Sequence, residues 1–118
     1  MTAAEVLIQT ALLGEAVDGG PALVFVADED MRYIAVNEFA CECLGYTRDE
    51  LLDLRVSTIV REPEVSAHYD ELLSRGFHDG TTTLTRKDGS TAEFAYRATR
   101  TVVAGMQLYV SVGFLSES

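Results

Sequence analysis

The sequence predicts an α+β domain: a five-stranded antiparallel β-sheet with short helices and one longer helix on one face, plus an N-terminal helix. Three observations predict it. Residues 77–85, 90–103 and 105–114 form strand-length runs rich in Thr, Tyr, Phe and Val, separated by turn residues at Asp88-Gly89 and Gly105. Residues 22–27 (ALVFVA) and Tyr33–Val36 (YIAV) supply two more strands around the polar turn Asp28-Glu29-Asp30. Between them lie helix start and stop signals, densest in residues 33–52, YIAVNEFACECLGYTRDELL.

The elements follow in chain order. Thr2-x-x-Glu5 has the form of a capping box and opens a helix that runs to about Asp18, where Gly19-Gly20-Pro21 stops it. On a helical wheel Val6, Thr10, Leu13 and Val17 share one stripe, while Ile8 and Leu12 fall on nearly the opposite side. The first stripe is expected to lie on the domain's own sheet, and Ile8 and Leu12 to meet a partner chain; a helix wedged between the sheet and another local element is the alternative. The first hairpin has its second strand starting at Met31 or Arg32. Asn37, whose side-chain oxygen accepts from the free N–H groups of a helix start, leads into a helix over residues 38–44 that Gly45 ends. Thr47-x-x-Glu50 opens another. Residues 54–60 read as one more helical turn or a loop, with Ile59 and Val56 inward. The longer helix spans residues 62–75, with Pro63 in its first turn and Gly76 at its end; Val65, His68 and Leu72 form its apolar stripe. On the last strand Leu108, Val110, Val112 and Phe114 alternate, which assigns them to the apolar face and leaves Ala95, Tyr109 and Ser111 for the other.

Composition narrows the function. The chain has 118 residues, 47% apolar, which is the size of one domain with one core. Nineteen acidic and nine basic residues give a net charge of −10, which repels phosphate backbones and anionic lipid, so neither nucleic acid nor membrane is expected as a partner. Eleven of those acids and only three of the bases fall within residues 1–60. No run reaches the roughly 18 apolar residues of a membrane span, and the N-terminus lacks the basic start of a secretory signal, so a cytoplasmic setting is expected. Cys41 and Cys43 project about 200° apart on a helix and read as reduced, partly buried thiols, with redox sensing as the alternative. No nucleophile elbow, phosphate loop or metal-binding spacing is present, and no enzymatic activity is expected. His78, beside Asp79-Gly80, reads as a surface residue.

The order Asn37, Gly45-Tyr46-Thr47-x-x-Glu50-Leu51 and then Arg86-Lys87-Asp88-Gly89 resembles the PAS domain family, the PAS/PAC sensor modules, across roughly residues 20–115. The resemblance implies a PAS fold over residues 21–118 with a flanking helix, residues 1–20, as a dimerisation candidate. It also implies a sensory role in signal transduction, of the two-component kind: a module that binds a small ligand or cofactor between helices and sheet and signals through helix or dimer packing. A ligand-free homo- or heterodimerisation module is the alternative. The partners implied are a second copy, an output domain or another signalling protein.

The implied ligand-binding residues are Phe25, Ile34, Phe39, Leu44 and Ile59, then Leu72, Leu84 and Tyr96, with Thr82 and His68 as polar anchors. The identity of a cofactor stays open. His68 resembles, by its place on the longer helix, the haem-iron ligand of oxygen-sensing relatives, although Gly80-Thr81-Thr82-Thr83 has no arginine of the kind that contacts bound oxygen there. Flavin photosensors of the family carry a reactive cysteine in G-x-N-C-R-F-L-Q. Residues 54–60 have no cysteine, so cysteinyl-flavin adduct chemistry is not expected, and the cysteine that anchors the chromophore of photoactive yellow proteins is missing too.

Overall fold

A computed structural model describes residues 2–60 and 64–116; the side chains of residues 6–13 and 64–69 lie outside the description. The elements run α1 (Ala3–Asp18), β1 (Leu23–Ala27), β2 (Tyr33–Val36), α2 (Glu38–Leu44), α3 (Arg48–Leu52), α4 (Val56–Ile59), α5 (Glu64–Arg75), β3 (Phe77–Thr85), β4 (Thr91–Val103) and β5 (Met106–Ser116). The five strands form the expected single antiparallel sheet, and their order is β2-β1-β5-β4-β3.

The sequence signals act as caps. Thr2 accepts from Glu5 N–H, Asn37 from Ala40 N–H, and Thr47 and Glu50 complete a reciprocal capping box. Gly45 ends α2 in the left-handed conformation. The second hairpin then docks on these helices: Lys87 N–H donates to Leu44 O at 3.0 Å, Arg86 Nε donates to Cys43 O at 3.0 Å, and Lys87 pairs with Glu50. The two motifs, distant in sequence, thus hold each other in place.

 Arg86 lies 43 positions from Cys43 in the chain.

Asn37 is the joint of the N-terminal half. Its buried carboxamide uses all its hydrogen-bonding capacity: Oδ1 accepts from Val24 N–H (3.0 Å) and Ala40 N–H (3.2 Å), and Nδ2 donates to Val17 O and Ala22 O (both 2.8 Å). Asp18 adds a second tie by accepting from Glu38 N–H and Arg48 Nη2. The end of α1 is therefore bonded to the start of α2 and, through Asn37, tied to β1. Val17 is 45% exposed, so this member of the stripe assigned to the sheet is not covered by it. Val6, Thr10 and Leu13, and the partner-facing Ile8 and Leu12, have side chains outside the described residues.

The boundary of the first hairpin shifts. The second strand starts at Tyr33, because Met31 takes a left-handed turn conformation (φ 60°) and Asp28 Oδ1 closes the turn by accepting from Asp30 and Arg32 N–H. The longer helix is described from Glu64, and residues 61–63 lie outside the description.

The larger correction concerns β5. Tyr109 is buried and Leu115 packs on the core, whereas Val112 and Phe114 are exposed. The strand is thus turned over relative to the expectation: Leu108, Val110, Val112 and Phe114 share the outer face. Gly113 explains the choice. A Cβ there would lie 2.2 Å from Ala95 O and 2.6 Å from Tyr96 Cβ, so only glycine admits this close approach to β4.

Candidate functional site

The inner face of the sheet carries two groups of buried side chains. The larger contains Phe25, Tyr33, Leu44, Leu51, Ile59, Leu84 and Phe94 beneath α2, α3 and α4, and the smaller contains Leu72, Ala98 and Tyr109 beneath α5. Between them lies a cavity of about 80 Å³, lined from both groups. Small residues make the gap: Ala27, Ala98 and Ser111 project little side chain into the seam. Aromatic rings wall it, with Phe25 in tilted contact with Tyr33 (centroids 5.6 Å) and edge-on to Phe94 (5.7 Å), and Phe94 stacked on Tyr96 (5.2 Å).

Five residues expected to line this space do so: Phe25, Leu72, Thr82, Leu84 and Tyr96. Leu44 and Ile59 are buried in the larger group, and Phe39 packs against it, but none of the three lines the cavity. Ile34 is 40% exposed, a correction that follows from its place on the short edge strand, where Tyr33 and Val36 turn inward instead. His68 lies among the side chains outside the description.

His78 is the second correction, because it is buried and lines the cavity. Its Nδ1 is 3.0 Å from Glu71 Oε2 on α5, and its ring is 5.7 Å from that of Tyr96. Asp79-Gly80 is continuous strand and makes no turn, so period-two alternation places His78 on the same face as Thr82 and Leu84. Gly80 leaves room for the imidazole, since a Cβ there would lie 2.7 Å from His78 Nε2. Glu71 also accepts from Arg75 Nη1, which fixes the carboxylate beside the histidine.

Sequence reasoning also missed Tyr33, Met31, Val56, Val60, Phe94 and Tyr109 as lining residues. Phe94 was legible, for it alternates with Tyr96 and Ala98. Burial pushes the Tyr33 phenol well above its ordinary range, and burial followed by the nearby Glu38 charge pushes the Cys41 thiol up. Neither Cys41 nor Cys43 is in a disulfide.

Among the described residues no group of three or more His, Cys, Asp or Glu side chains is placed to hold a metal ion. A porphyrin does not fit a cavity of about 80 Å³, since pockets for ligands of drug size already span roughly 300–1,000 Å³. No described helix is long and apolar enough to cross a membrane.

Solved structures with this fold are numerous. A PAS domain from a two-component sensor histidine kinase superposes with a TM-score of 0.81 at 12% identity, covering 94% of this chain and 99% of that one. The PAS domain of an HTR-like protein from Haloarcula marismortui gives 0.81 at 18% identity, covering 96% of each chain. A domain of a sensory box sensor histidine kinase/response regulator from Geobacter sulfurreducens gives 0.77 at 19% identity, with 92% and 96% covered. At such identities the likeness is one of fold. No sequence relative was found among curated proteins. The family profile described as PAS domain matches residues 21–114, which include the Asn37 joint, both docked motifs and every described wall of the cavity. The chain belongs to the PAS domain family.

Proposed function

We propose that this PAS domain is a cytoplasmic sensory module of signal transduction, of the two-component kind, that holds a small molecule between α5 and the sheet. The observation that carries the reading is the aromatic-walled cavity of about 80 Å³. An apolar cavity of ~150 Å³ accommodates benzene, so a space about half as large suits a ligand of a few heavy atoms. The similar segments of sensor histidine kinases support a place in signalling, and the acidic net charge disfavours nucleic acid and anionic membrane as partners. The reading assigns no catalytic step to the chain.

Output runs through the flanking helix, residues 1–20, and a second copy of the chain. Phe25 and Tyr33 line the cavity, and their neighbours on β1 and β2 lead to Val24 and Asn37, which bond each other, and Asn37 bonds the end of α1. A shift of these strands on binding moves the anchor of α1, a two-state element that a ligand can bias. Ile8 and Leu12 then form the contact with the partner copy. Native mass spectrometry of the protein as purified tests both parts: a dimer carrying a small added mass is expected, and an Ile8→Glu, Leu12→Lys variant is expected as a monomer. A bare monomer in the parent protein contradicts the reading, and a bare dimer favours a ligand-free dimerisation module.

A further inference from the structure

Tyr33 differs from every other polar side chain in the cavity wall. It is 5% exposed, lines the cavity, and its hydroxyl has no hydrogen-bond partner among the described residues. His78, Thr82, Tyr96 and Tyr109 are all engaged, and Ser111 is only half-buried. The Tyr33 backbone is fixed by donating N–H to Leu54 O at 3.1 Å, and its ring by contact with Phe25, so the phenol is held in position from both ends. With no protein partner, the hydroxyl is completed by whatever occupies the space it meets, water or a ligand.

The sign of that partner follows from the chemistry of the wall. Burial keeps the Tyr33 phenol protonated, so it has an O–H to donate, and a phenol is a better donor than acceptor, which favours an acceptor on the ligand. No Asp, Glu, Lys or Arg is among the described lining residues, and the Glu71 carboxylate stands 3.0 Å from His78 Nδ1. An anionic ligand would enter without a countercharge on the described wall, which is unfavourable in a mostly apolar enclosure, and the Glu71 carboxylate, paired with Arg75, supplies none.

Resting on the reading of the cavity as a ligand site, we propose that it takes a small neutral molecule with a single carbonyl-type acceptor, which Tyr33 recognises by donating its phenolic hydrogen. The compact volume admits a short ketone, aldehyde or ester, with its alkyl part against Phe25, Phe94 and Leu84. Carboxylic acids of the same carbon skeleton are rejected at neutral pH because they are ionised.

Protein NMR titrations with butanone, butyrate and xenon, on the parent chain and on Tyr33→Phe, test this. Xenon probes the cavity without using a hydrogen bond and is expected to shift the lining resonances of both proteins. Butanone is expected to bind the parent about three- to tenfold more tightly than the Phe variant, the range of one neutral hydrogen bond, and butyrate to leave both unshifted. Equal butanone affinity in the two proteins overturns the proposal while xenon binding leaves the cavity reading intact; so does xenon binding without butanone binding. Preference for butyrate overturns the neutral-ligand assignment. If neither xenon nor butanone shifts a lining residue, the cavity reading falls and this proposal with it.

Discussion

Removing the carboxamide of Asn37 strands groups around the start of both β1 and α2. Val24 N–H, Ala40 N–H and Ala22 O lose their Asn37 partner, while Val17 O loses one of its donors and keeps Gly20 N–H. A lost helix cap costs about 0.5–2 kcal/mol and each newly unsatisfied buried group about 1–3 kcal/mol where water cannot reach it. Asn37→Ala is therefore expected to lower the unfolding free energy by roughly 2–4 kcal/mol, read from urea denaturation. Tyr33 makes a prediction at alkaline pH. Its folded pKa lies above the unfolded value of about 10, so between the two the unfolded chain binds fewer protons than the folded one and stability falls as pH rises. Tyr33→Phe is expected to lose less stability than the parent between pH 9 and pH 11 (about one unit either side of the free phenol value), measured by thermal unfolding at each pH.

At the scale of elements, the sheet has an inner face that its sequence pattern disguises. On β5 the more apolar alternation, Leu108 to Phe114, points outward, because the inner positions must yield space to β4 at Gly113 and to the cavity at Ser111. Pattern alone ranks faces by hydrophobicity, and here close approach decides instead. Tyr109→Ala is expected to cost roughly 3–5 kcal/mol, as for other large buried aromatics, and Phe114→Ser within about 1 kcal/mol of zero, as for exposed positions; equal costs in chemical denaturation would return the strand to its other face. Helix starts and stops were legible because Thr2, Asn37, Gly45 and Thr47 act through local hydrogen bonds. Half of the expected cavity wall was found too, since Leu72, Thr82 and Leu84 follow simple periodicity. His78 was misplaced by reading Asp79-Gly80 as a turn, and Tyr33 was missed because its role depends on what it lacks in three dimensions.

For the whole molecule, the two sequence motifs turn out to be architecture. The Arg86-Lys87-Asp88-Gly89 hairpin braces α2 and α3 through Leu44 O, Cys43 O and Glu50, and neither motif touches the cavity. What the family match leaves open is decided by the seam between the two buried groups and by the joint that ties α1 to the strands beside it. The central claim is that occupancy of the seam is felt at that joint. Hydrogen exchange of the protein with and without saturating butanone tests it most directly. The account predicts slower exchange in β1, β3 and β4 beside the cavity together with a change at the amides of residues 17–24. Protection confined to the cavity walls, with residues 17–24 unchanged, contradicts it.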